Sequence, residues 1–150
     1  MRIALYQPDQ PGNVGSILRL GACLDVPVDI IEPCGFAFSD RALKRSGMDY
    51  IERAELVRHS TWNAFLTRST GRLVLMTSQG DVRLPEARFL PGDTLILGSE
   101  SRGAPPEVHA CAALRLRIPQ TPGTRSLNIA VAAGIALAEG LRQTRAWPND

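Results

Sequence analysis

Short uninterrupted apolar runs alternate along this chain with segments whose apolar residues recur every three to four positions. Arg2–Tyr6 reads RIALY, Arg72–Thr77 reads RLVLMT and Asp93–Leu97 reads DTLIL. Runs of this length without polar alternation predict strands buried on both faces. Val26–Ile31, Ala54–Arg58 and Leu114–Ile118 complete the strand set. Between them, Asn13–Leu24 places Val14, Ile17, Leu18, Gly21 and Ala22 on one helical face, with Asn13 as the expected N-cap. Further helices are predicted over Ser39–Ser46 (stopped by Gly47), from a Ser60 cap through Arg68, and from Pro105 and Pro106 to about Ala112. The last runs from Ser126 to about Thr144. Strand alternating with helix predicts an α/β fold, a mostly parallel sheet with helices on both faces. Ligands of such sheets bind beyond the carboxyl ends of the strands, here in loops 7–12, 32–38, 77–82, 98–104 and 119–125.

Length and composition narrow this further. A chain of 150 residues, 44% hydrophobic and 21% charged, is expected to form one domain over 1–150 with its own core. Disordered, collagenous and coiled-coil classes are excluded. No apolar run is long enough for a membrane span, and Gln7 interrupts the N-terminal run too early for a signal peptide, so a cytoplasmic protein with no membrane partner is expected. Three cysteines without a CxxC pair predict reduced thiols. The net charge of +2 points away from a general polyanion binder, yet the basic residues are sixteen arginines and the single Lys44. Arginine grips phosphate in a bidentate fork; a genome biased toward arginine explains the same count.

Three loops carry candidate chemistry. Around the first helix, Pro11-Gly12-Asn13-Val14-Gly15-Ser16-Ile17-Leu18-Arg19 combines glycines that let backbone approach a ligand with a helix N-terminus and an arginine within reach. Leu97-Gly98-Ser99-Glu100-Ser101-Arg102-Gly103 follows a buried strand. It lacks the Lys-Ser/Thr pair of a phosphate-binding P-loop, and no GxGxxG follows the first strand, which disfavours nucleotide hydrolysis and dinucleotide binding. Ile118-Pro119-Gln120-Thr121-Pro122-Gly123-Thr124-Arg125-Ser126-Leu127-Asn128 crowds polar groups onto the entrance of an apolar helix, where Ser126 is the simplest N-cap. His59 and His109 have no ligand spacing and are expected to be partly exposed structural residues, with no metal site.

Together the three loops resemble the motifs of the SPOUT RNA methyltransferases: N-x-G-x-x-x-R at Asn13, Gly15 and Arg19; G-x-E-x-x-G at Gly98, Glu100 and Gly103; I-P…S-x-N at Ile118, Pro119, Ser126 and Asn128. Ile31–Phe38 and Lys44–Tyr50 further resemble the small tRNA (cytidine(34)-2'-O)-methyltransferase subfamily. The likeness runs from Ile3 to about Gln143, with departures at Ala130, Val131 and Ala138 on the last helix.

The resemblance implies a C-terminal trefoil knot, a homodimer, and S-adenosylmethionine held by Met76, Gly98, Ile118, Ser126 and Leu127. It implies methyl transfer to the ribose 2'-hydroxyl of the wobble nucleotide, cytidine or uridine, in a tRNA anticodon loop. Arg19 is the leading catalytic residue, as a clamp on the phosphate beside the target ribose, because arginine does not readily lose a proton. Asn13 is expected to order the first loop and Glu100 to brace Arg19 or the loop backbone. Ser126 and Asn128 are expected to line the pocket, and Arg41, Lys44, Arg45 and Arg125 to guide the RNA backbone. The alternatives are a non-catalytic RNA-binding relative, another RNA ribose 2'-O-methyltransferase and, from the α/β pattern alone, a nucleotide-dependent oxidoreductase.

Overall fold

In the computed structural model, residues 1–37 and 55–149 are described. Seven strands form one sheet: β1 (Arg2–Tyr6), β2 (Val28–Ile31), β3 (Leu56–His59), β4 (Leu73–Met76), β5 (Val82–Arg83), β6 (Thr94–Leu97) and β7 (Leu114–Arg117). Their order is β3-β2-β1-β6-β4-β7-β5, and every pairing is parallel. The α/β reading thus holds. The helices are α1 (Pro11–Leu24), α2 (Trp62–Arg68), α3 (Pro106–Cys111) and α4 (Ile129–Thr144). The predicted Ser39–Ser46 helix lies outside the described residues.

Alternation along each strand divides the core between two faces. Ile3, Leu5, Val28, Ile30, Val74, Leu95, Leu97 and Leu116 pack with Val14, Ile17 and Leu18 of α1 and Ala133, Ala136, Leu137 and Leu141 of α4. Ala4, Tyr6, Ile31, Leu73, Leu75 and Ile96 pack with Trp62 and Phe65 of α2 and Val108 of α3. Burial on both sides explains why the strands read as continuous apolar runs.

Two buried carboxylates of the sheet region, Asp93 and Asp29, are each met by basic side chains. Asp93, fully buried, receives Arg72 through Nε at 2.9 Å and Nη2 at 2.7 Å. Asp29 accepts from Arg2 Nε at 2.8 Å and lies 2.7 Å from His59 Nε2. His59 is therefore buried rather than partly exposed: it ends β3 beside β2, where the Asp29 carboxylate satisfies its ring nitrogen. The cysteines Cys23, Cys34 and Cys111 are free thiols. Among the described residues no helix is long and apolar enough to cross a membrane.

Candidate active site

Register decides which loops meet. Leu5 is level with Leu97, Leu97 with Met76, and Met76 with Leu116. Four neighbouring strands therefore end in one row, and the loops that follow rise from the same edge. Between the loops after β4, β6 and β7 and the start of α4 opens a cavity of about 310 Å³. Met76, Gly98, Ile118, Ser126 and Leu127, the positions the resemblance implies for a cofactor, all line it. Thr77, Ser78, Ser99, Gln120 and Ala132 line it too, and sequence reasoning missed them. Ser99 and Gln120 adjoin motif residues, Ala132 lies one helical turn beyond Asn128, and Thr77 and Ser78 follow Met76 in the loop after β4.

The loop after β6 is tightly folded. Ser99 and Gly103 exchange backbone hydrogen bonds, Ser99 N to Gly103 O at 3.1 Å and Gly103 N to Ser99 O at 2.7 Å. Gly103 has φ of 69°, which favours glycine. A Cβ at Gly98 would stand 2.5 Å from Ala104 N and from the Gly103 carbonyl carbon. Only a glycine at 98 lets the chain turn back this closely while leaving the cavity wall as bare backbone.

The three motifs are joined by hydrogen bonds of defined direction. Asn128 Nδ2 donates to Asn13 Oδ1 at 2.9 Å, and Asn13 Nδ2 donates to Glu100 Oε1 at 3.0 Å. The other Glu100 oxygen accepts the Asp9 backbone N–H at 2.9 Å. Asn128 Oδ1 in turn accepts from Ala130 N at 2.9 Å and Val131 N at 3.3 Å, capping α4. Residues 115 apart in sequence thus touch beside Glu100, which lines the cavity; Asn128, expected to line the pocket, sits next to the lining residues Leu127 and Ile129 instead.

Two expected caps are corrected. Asn13 is not the N-cap of α1; Gln10 is, because Pro11 begins the helix two residues earlier. The Asn13 side chain turns to Glu100 and Asn128 instead. Ser126 is not the cap of α4; Asn128 is, which leaves Ser126 facing the cavity. The Glu100 partners are Asn13 and the loop backbone at Asp9.

Arg19 lies exposed on α1, nearly two turns beyond Asn13, and does not line the cavity. Arg125 is exposed in the loop immediately before Ser126. Arg41, Lys44 and Arg45 fall outside the described residues. The cavity suits a mid-sized ligand with both polar and apolar parts. Glu100 and Ser126 offer polar atoms, Met76, Leu97, Leu116 and Ile118 offer apolar ones, and Gly98 offers open backbone.

The SpoU rRNA Methylase family matches residues 1–138. A tRNA (cytidine(34)-2'-O)-methyltransferase of Beijerinckia indica is 49% identical over 147 residues, which is 96% of this chain and 92% of that one. A solved structure described as "Structural insights into the 2-OH methylation of C/U34 on tRNA" superposes with a TM-score of 0.88 at 42% identity, covering 95% of this chain and 94% of that one. An AdoMet-bound rRNA methyltransferase from Sinorhizobium meliloti superposes with a TM-score of 0.83 at 27% identity, over 94% of this chain and 55% of that one. The family match spans far more than half the sequence, and the chain belongs to the SpoU methylase family of RNA methyltransferases.

Proposed function

We propose that the chain is an S-adenosylmethionine-dependent tRNA methyltransferase acting on the ribose 2'-hydroxyl of nucleotide 34, cytidine or uridine, in the anticodon loop. The hydrogen-bond chain Asn128–Asn13–Glu100 at the rim of the cavity carries this reading, since it joins all three methyltransferase motifs in one place. The near-complete likeness to a relative named for that reaction supports the substrate.

S-adenosylmethionine supplies a sulfonium methyl group that a ribose oxygen can attack. The residues present fit it. Met76, Leu97, Leu116 and Ile118 form an apolar wall, Ser126 and Glu100 add polar atoms, and Gly98 exposes backbone hydrogen-bonding groups without a Cβ in the way. Asn13 and Glu100 order the mouth, where the ribose must lie, and alignment of the reacting atoms is the main task left to the protein. Arg19 acts from α1 as a bidentate clamp on the adjacent phosphate. Arg41, Lys44, Arg45 and Arg125 guide the RNA backbone, so binding weakens as salt rises.

The proposal includes the trefoil knot and a homodimer. Val131 and Ile135 lie four residues apart on one face of α4, and Leu127 stands just before its N-cap Asn128. In that order they are 50%, 41% and 38% exposed. A second copy of the chain would cover this apolar patch beside the active-site mouth.

The deciding experiment supplies methyl-labelled cofactor and unmodified tRNA, then digests the RNA with alkali. Label in an alkali-resistant dinucleotide containing nucleotide 34 supports the assignment. Label elsewhere, or cofactor binding without transfer to any tRNA, overturns it.

A further inference from the structure

Asp9 lies outside the three motifs, in the Pro-rich loop after β1, yet more of the site converges on it than on any motif residue. Its Oδ2 accepts from Ser99 Oγ at 3.1 Å, from Ser101 N at 3.2 Å and from Ser101 Oγ. Its backbone N–H donates to Glu100. Three consecutive residues of the loop after β6 are therefore held by one aspartate.

The opposite side of Asp9 is closed as well. A Cβ at Gly35, in the loop after β2, would stand 2.6 Å from the Asp9 Cβ, and Gly35 N donates to Pro8 O at 2.9 Å. Asp9 is thus wedged between the loops that follow β2 and β6. Its Oδ1 is buried and accepts no hydrogen bond among the described residues. A carboxylate left so poorly satisfied on one oxygen is costly to keep for stability alone.

We propose that Asp9 is a positioning residue of the methyl-transfer site: by gripping Ser99 and Ser101 it sets the loop that forms one wall of the cofactor cavity and aims Glu100 at Asn13. Asp9 does not touch the reacting atoms. Ser99 and Glu100 are its means of action, because both line the cavity.

The inference rests on the proposed cofactor, so its test includes a measurement that needs no turnover. Affinity for S-adenosylhomocysteine is measured by calorimetry, the single-turnover transfer rate at saturating tRNA by label incorporation, and folding by urea titration. The variants are Asp9→Ala, Asp9→Asn, Ser101→Ala and the double variant D9A/S101A.

Asp9→Ala removes charge-assisted hydrogen bonds that brace the cavity wall, so S-adenosylhomocysteine affinity should drop about tenfold or more, with a fall in the transfer rate beyond it. Asp9→Asn, which keeps an acceptor and the shape, lies between Asp9→Ala and wild type. Because Asp9 and Ser101 act through one hydrogen-bonded pair, the double variant is impaired little more than Asp9→Ala alone. Affinity and rate within twofold of wild type in folded Asp9→Ala, or additive effects in the double variant, overturn the proposal. If Asp9→Ala fails to fold, Asp9→Asn decides, and wild-type affinity and rate in that variant count against it. Wild-type protein that binds S-adenosylhomocysteine but methylates no tRNA defeats the assigned reaction while leaving the affinity test of Asp9 in force.

Discussion

Asn128 performs two separable tasks, and a pair of substitutions tells them apart. Its Oδ1 caps α4 through Ala130 and Val131, while its Nδ2 donates to Asn13. Asn128→Ala removes both. The cap is worth about 1 kcal/mol, and the exposed side-chain hydrogen bond adds up to about 1 kcal/mol more. For a chain of this length that total lowers the melting temperature by roughly 2–8 °C.

Asn128→Asp keeps the cap acceptor, since aspartate caps as well as asparagine, but loses the donor. A carboxylate then faces Asn13 Oδ1. Asn13 has no easy remedy, because flipping its amide would turn the carbonyl toward Glu100 and break the 3.0 Å hydrogen bond there. Loss of the bond together with the new repulsion is worth about 1–2 kcal/mol, which is about five- to thirtyfold in rate if the chain orders the transition state. Urea unfolding and single-turnover methyl transfer into unmodified tRNA read the two effects separately. The expected pattern is near-native stability with slow transfer for Asn128→Asp, and a loss of both for Asn128→Ala. Native transfer by folded Asn128→Asp would refute the reasoning, because the Asn128–Asn13 hydrogen bond would then have no part in catalysis.

Gly98→Ala forces a Cβ to within 2.5 Å of Ala104 N, so the loop must shift; calorimetry should show at least a tenfold weaker hold on S-adenosylhomocysteine. Arg72→Ala leaves the buried Asp93 carboxylate with the Leu90 N–H at 2.8 Å and the Met1 ammonium nearby, but without its ion-pair partner. Its urea-derived stability should fall by about 3 kcal/mol while transfer per folded molecule is unchanged. Glu139 is held down to about 2, chiefly by its hydrogen bond from Arg142, against an ordinary value of 4.5. Its folded-state value is the lower one, so its stabilisation is complete above about pH 4.5 and disappears as pH falls through about 2. Glu139→Gln should therefore lower stability slightly at neutral pH, leave it unchanged below about pH 2, and so flatten the acid limb of a stability profile in that window. Ile135→Glu puts a charge into the exposed stripe of α4, and sedimentation should report monomer where wild type reports dimer; an unchanged dimer removes that stripe from the interface.

The architecture was legible because β1, β2, β4 and β6 are buried on both faces and so carry their signature within four or five residues. RIALY and TLIL announce themselves without any partner in view. Boundaries were less visible: Val82–Arg83 is too short to show a period, and it is defined by its partner β7. The caps misled for a physical reason. Asn at the start of an apolar helical stretch is a good N-cap, but Pro11 is pre-set for the first helical turn and moved the start upstream.

At the site, the positions that the resemblance implied for a cofactor all line one cavity. Asp9 escaped because its partners are 90 or more residues away, and an acid between two prolines looks like any turn. His59 escaped likewise, since Asp29 lies on a neighbouring strand. Such pairings exist only after the sheet has assembled.

The strand order also has a consequence for synthesis. β1 is made first, yet it needs β6 on one flank, and Asn13 waits for a partner at position 128. A nascent chain on the ribosome can shape β1, α1 and β2 early, but the contact between the first and last loops forms only after residue 128 has emerged. A product cut short before that residue lacks this closure.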